Sequence, residues 1–116
     1  MARASRGSGG PFRFRVSDSL AVPLRGHLLR LRLVEGEPSM ADLKAGRQLR
    51  LVPPGGSEER IVAIVDHGVA SGRPTQQRLE RTRELDIIIA TDSANVDGRP
   101  VEIGWHATGP VGDAGG

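Results

Sequence analysis

An all-β fold is what this sequence predicts: a small six- or seven-stranded closed antiparallel barrel with disordered termini. Three observations predict it. Apolar and polar residues alternate with a period of two in several segments. Two further segments are denser apolar runs of strand length. Glycine and proline fall where short connections must turn, and no segment carries a strong amphipathic helical face. Closure into a barrel would remove the exposed edges that such hydrophobic strands otherwise present.

Residues 1–11 have no periodicity and little apolar content, so a disordered arm is expected. Phe12, Phe14 and Val16 then alternate with Arg13, Arg15 and Ser17, which makes a first strand with its rings inward. Arg25-Gly26 marks a kink or bulge before a second strand, in which Leu29, Leu31 and Leu33 alternate with Arg30, Arg32 and Val34. Leu49 and Leu51 alternate with Gln48 and Arg50 in a third. Pro53-Pro54-Gly55-Gly56 ends it, because proline supplies no donor and cannot continue a ladder. Residues 60–65 and 85–90 are dense enough in Ile and Val to be strands covered on both faces.

Residues 75–84 are the one helical candidate, with Thr75 as a possible N-cap. Leu79 is the only large apolar residue there, so a loop with at most a helical turn is expected. Asp97-Gly98 is a hairpin signal, since both central residues of a type I′ turn need positive φ. A last short strand is expected through Val101 to Trp105. The barrel domain then spans residues 12–108, followed by a disordered tail, 109–116.

Composition narrows the function classes. With no cysteine, disulfides and thiolate zinc sites are excluded. No apolar run is long enough to cross a bilayer and no signal-peptide core is present, so a cytoplasmic protein without a membrane partner is expected. The formal net charge is +2, but it is unevenly spread. Residues 1–50 carry ten Lys/Arg against four acids, and residues 51–116 carry six Arg against ten acids. Such asymmetry marks an anionic partner, unless the two halves interleave their charges in one fold.

Several residues together resemble a known family. They are Asp18, Arg25-Gly26, the strand from Leu28 to Val34 closing on Glu35-Gly36, then Leu43-Lys44-Ala45-Gly46 and the strand from Gln48 to Val52. This order is similar to the β-barrel second domain of translational GTPases such as elongation factor Tu. Arg47 stands where that family usually has an acid, residues 37–42 are an insertion, and Arg83-Glu84 replace a family glycine. The resemblance implies a barrel placed against RNA. It does not bring the GTPase domain: there is no Gly-x-x-x-x-Gly-Lys-Ser/Thr loop and no guanine-reading Asn-Lys-x-Asp, so no nucleoside triphosphate or other cofactor is expected.

The candidate binding residues are arginines. Arg13, Arg15, Arg30, Arg32 and Arg50 point outward if their strands are neighbours, and Arg73, Arg78 and Arg81 lie in or beside the charge-dense segment that ends near Arg83. A guanidinium face of this kind suits phosphate or carboxylate oxygens. Like charges side by side on a sheet repel, unless Glu35, Glu58 or Glu59 interleave. Exposed rings for base stacking are scarce.

His27, His67 and His106 would need to converge with Asp18, Asp66 or Asp92 to make a metal or catalytic site, and their spacing does not bring them together. Asp18, within Ser17-Asp18-Ser19, is expected to bond local backbone N–H groups. Trp105 is either an exposed partner anchor or a plug for one end of the barrel. The expected function is a non-catalytic, stand-alone binding module that contacts RNA or a ribonucleoprotein through the arginines. The alternative is a protein–protein interaction module that recognises an acidic partner surface.

Overall fold

The structure, a computed structural model, describes residues 10–56, 58–68 and 74–111. The expected N-terminal arm and C-terminal tail fall mostly outside the described residues. In chain order the strands are β1 (Phe12–Val22), β2 (Gly26–Gly36), β3 (Gln48–Val52), β4 (Arg60–Ala63), β5 (Asp66–His67), β6 (Glu84–Ile89), β7 (Asn95–Val96), β8 (Arg99–Pro100) and β9 (His106–Gly109). Helix α1 (Gln76–Thr82) precedes β6, and a single turn, α2 (Thr91–Ala94), follows it.

The fold is all-β. Seven strands form one antiparallel sheet in the order β4-β3-β9-β1-β2-β6-β5, and β7 and β8 form a separate ribbon. Alternation in β1 and β2 works as expected: Phe12, Phe14, Val16, Leu29 and Leu31 are buried, while the arginines between them reach solvent. Register shifts near Arg13/Phe14 and Val16/Asp18 put bulges in the long β1–β2 pair. Bulges increase local twist and help the sheet curl around its apolar face.

The sheet is a curled half-barrel, and the expected closed barrel is corrected to this. Its two edges, β4 and β5, belong to one run of chain and so cannot pair with each other. Ile64 N–H bonds the Arg47 carbonyl beside β3 at 2.8 Å, and Val65 N–H bonds the Ile88 carbonyl of β6 at 2.8 Å. The run therefore changes partner between adjacent residues. The expectation of cover on both faces holds for β6, where Ile87, Ile88 and Ile89 are all buried, but fails for residues 60–65, where Ile61 and Val65 are exposed.

Two further expectations change. Residues 75–84 contain a seven-residue helix rather than a loop. Thr75 Oγ1 accepts from Arg78 N–H at 3.1 Å, Arg83 closes the C-terminus at φ 61°, and Leu79 is buried in the core. Caps at both ends and one anchor thus replace the broad apolar face that the segment lacks. The Gln76 amide adds a tie, accepting from Met40 N–H at 2.8 Å and donating to the Pro38 carbonyl at 3.1 Å.

The last strand is not at Val101–Trp105, which forms a turn. It is β9, which inserts between β1 and β3. The Asp97-Gly98 turn has positive φ at both residues, 54° and 76°, but it joins β7 to β8 outside the main sheet. Trp105 is buried and plugs the fold, with the Arg60 guanidinium 5.0 Å from its ring centroid.

Candidate anion-binding face

Register arranges the outward residues of the sheet in rows. In the first row Arg50 of β3 faces Thr108 of β9, which faces Arg13 of β1, which faces Glu35 of β2. In the second, Val52, His106, Arg15, Arg32 and Glu84 follow one another across β3, β9, β1, β2 and β6. In the third, Asp18, Arg30 and Asp86 cross β1, β2 and β6. Arg13, Arg15, Arg30, Arg32 and Arg50 therefore share one surface, as their alternation predicts.

That surface is not uniformly basic. Arg13 pairs with Glu35 at 2.8 Å, Arg32 with Glu84 at 3.3 Å, and Arg50 with Glu59. Arg30 makes a two-pronged pair with Asp86, at 2.9 and 3.1 Å, and the Asp86 side chain is only 10% exposed. The hydrogen bond and the charge of Asp86 hold Arg30 protonated more firmly than usual. Arg25 pairs with Asp66 at 3.1 Å. Most of these acids come from residues 51–116, so the basic and acidic halves of the chain interleave. Exposed pairs of this type contribute little stability, about 0–1 kcal/mol each.

Arg15 differs from its neighbours. Its cross-strand partners are Arg32 and His106, and among the described residues its guanidinium has no carboxylate partner. Two arginines directly opposite one another repel. The imidazole of His106 is half-buried and makes no hydrogen bond among the described residues. Burial, then Arg13 and Arg15, push its pKa below the ordinary 6.5. Next to this row, a groove of about 590 Å³ runs between Arg13, Arg50 and Thr108 to Pro110.

The helical arginines lie elsewhere. Arg78 shares a cleft of about 210 Å³ with Arg30, Thr82, Glu84 and Asp86. Arg81 sits in the last turn of α1, where a cation suits the negative end of the helix dipole. Arg73 lies outside the described residues. Arg47, at the position where the resemblance would have an acid, donates to the Ala41 carbonyl and to Asp42 Oδ1, both at 3.2 Å. The insertion over residues 37–42 thus supplies a buried carboxylate for it.

The remaining polar candidates are occupied locally. Asp18 Oδ1 accepts from Ser19 N–H at 3.0 Å, as expected for a turn-type aspartate. Ser19 Oγ donates to the Val101 carbonyl at 2.8 Å, so the contact of 2.7 Å between Ser19 Oγ and His27 Nε2 has the imidazole as donor. His67 Nε2 meets the Leu43 carbonyl at 2.8 Å. Among the described residues, no three His, Cys, Asp or Glu side chains gather as a metal site. Nor, among them, is any helix long and apolar enough to cross a membrane.

The two perturbed histidines make stability depend on pH. Burial also lowers the His27 pKa below 6.5. Both groups bind a proton more weakly folded than unfolded, so the unfolded chain takes up more protons just below pH 6.5. Their contribution is intact above that value and is lost as pH falls toward the folded values. Thermal unfolding should show a lower Tm at about pH 5 than at about pH 7.5, before most carboxylates titrate. His106→Gln should reduce that difference, and an unchanged difference would remove His106 from the linkage.

Sequence reasoning placed His106 in a turn and did not connect it to Arg15. No signal could have done so, because the contact depends on β9 pairing with β1. The sequence matches no protein-family model, and no curated protein is significantly similar to it.

Proposed function

We propose that this chain is a non-catalytic binding module whose curled β-sheet contacts RNA or a ribonucleoprotein through its arginine face. In this reading it is a relative of the translation-factor second domain that works without a GTPase domain. One observation carries the reading: Arg15 and Arg32 stand opposite each other beside His106, on a surface where neighbouring arginines have acids. A polyanion laid along that row would meet unsatisfied donors at Arg15 and exchange for the weak, exposed Arg32–Glu84 pair.

The test is binding of a fluorescent single-stranded RNA as a function of salt. Log affinity should fall linearly with log salt, with a slope of about −0.7 for each phosphate neutralised on a single strand. Arg15→Glu should weaken binding and reduce that slope by about 1. Arg15 is the clean position, because reversing Arg30 would also strand the half-buried Asp86. Binding that is flat in salt, or indifferent to Arg15→Glu, would sink the reading.

A second reading, a protein-interaction module, is favoured by the β1–β2 turn. Leu24 there is fully exposed at φ 66°, with Leu20 and Val65 also exposed. Capture of a partner that survives ribonuclease and is lost in Leu24→Asp would support it over RNA.

A further inference from the structure

We propose that Arg15, Arg32 and His106 form a discrete site for one phosphate group, and that His106 takes up a proton when the site fills. This rests on the RNA reading above and gives it a location and a regulation. The site is defined by pairing: β9 places His106 on one side of Arg15, and β2 places Arg32 on the other. All three side chains leave the same face of the sheet, because directly paired residues point the same way. Arg15 and the His106 imidazole have no hydrogen-bond partner among the described residues. Arg32 is held only by an exposed contact to Glu84 at 3.3 Å.

A tetrahedral anion over Arg15 can accept from both arginine forks and from an imidazole N–H. Guanidinium groups match phosphate oxygens in a two-pronged geometry. In the empty site the charges facing His106 are cationic. Arg13 and Arg15 reach it from β1, Arg32 lies one strand further, and Arg50 lies one row away on β3 behind apolar Val52. The nearby acids are engaged: Glu35 with Arg13, Glu59 with Arg50 and Glu84 with Arg32. Those surroundings keep the imidazole neutral. A bound phosphate reverses the sign of the local field and favours imidazolium, which adds a charge-assisted hydrogen bond. Proton uptake and anion binding then strengthen each other reciprocally.

The ligand chemistry is a phosphate group, either a diester of an RNA backbone or free phosphate, and two probes separate these sources. The His106 ring resonance would be followed by NMR in the whole chain, with an oligouridylate and with inorganic phosphate. The oligouridylate keeps constant charge across the range, so its pH dependence reports on the protein. We expect it to raise the pKa of His106 and to bind about tenfold tighter at about pH 5.5 than at about pH 7.5. His106→Gln should flatten that dependence, and Arg15→Gln should lower the affinity and shrink the His106 response.

Oligouridylate binding with no movement of the His106 resonance would overturn the site and leave the wider RNA reading standing. Inorganic phosphate that moves His106 while oligouridylate does not bind would support the site and sink the RNA reading. If neither probe moves His106, the site is overturned whatever the variants do. The wild-type titration needs no variant, so a poorly folding substitution does not weaken the test.

Discussion

Trp105→Ala is expected to lower the free energy of unfolding by about 3–5 kcal/mol, the range for truncating a buried aromatic residue. The side chain is 5% exposed and fills space between the main sheet and the α2–β7–β8 segment. Its backbone is held as well: the Trp105 carbonyl accepts from Val16 N–H at 2.8 Å, and Gly104 N–H donates to the Val16 carbonyl at 2.9 Å. The ring also positions Arg60. That guanidinium donates to the carbonyls of Ser93 at 3.2 Å, Ala94 at 3.3 Å and Arg99 at 2.9 Å, satisfying groups at the end of α2 and in β8. Loss of the ring therefore opens a cavity and loosens the clamp on the ribbon.

Denaturant unfolding should show the loss as a lower midpoint, with a fall in Tm of roughly 10 °C or more. A domain of this size has about 5–15 kcal/mol in total, so the variant should be marginal. The Arg60→Ala and Trp105→Ala pair should couple by about 0.5–1 kcal/mol in a double-mutant cycle. A loss under about 1 kcal/mol for Trp105→Ala would show that the ring is not part of the core.

Gly26→Ala is expected to cost about 3 kcal/mol although it adds one methyl group. Gly26 begins β2 with φ +129°, a conformation that residues with a Cβ rarely adopt. A Cβ there would lie 2.4 Å from the Ile89 carbonyl oxygen and 3.1 Å from Ile88 Cγ2. The nearest obstacle is backbone, so relief requires β2 and β6 to separate at the His27–Ile89 end of their ladder. Gly46 is a useful contrast: it also has positive φ, +96°, but an added Cβ would meet nothing within 4 Å. Gly46→Ala should show only the backbone strain. Equal losses at the two glycines, measured by urea unfolding, would mean that the close approach of β2 to β6 carries no energy.

The same contrast shows how far the sequence is legible. Arg25-Gly26 announced an irregularity before the second strand, and the structure supplies its reason in the Ile89 carbonyl. Thr75 was readable as a cap, because capping depends on residues three apart. The helix behind it was not readable, because its stability comes from Leu79 entering a core built by distant strands. The segment from His106 to Gly109 has only Ala107 as an apolar residue, so no period marks it as a strand. It becomes one because β1 and β3 leave backbone groups that need partners on both sides.

The arginine face divides in the same way. Period two placed Arg13, Arg15, Arg30, Arg32 and Arg50 on the outside, since side-chain direction is a local property of a strand. Which of them would be neutralised was not local. Glu84 and Asp86 answer Arg32 and Arg30 only because β6 pairs with β2 at one register, and His106 meets Arg15 only because β9 lies beside β1. The sequence by itself determined which residues face the core, where the chain turns and how much charge each half carries, because these follow from neighbours along the chain. The tertiary structure alone decided where the sheet ends, which acids meet which arginines and where an uncompensated cation remains. Those outcomes depend on strand partners far apart in sequence, chosen by packing and hydrogen bonding across the whole sheet.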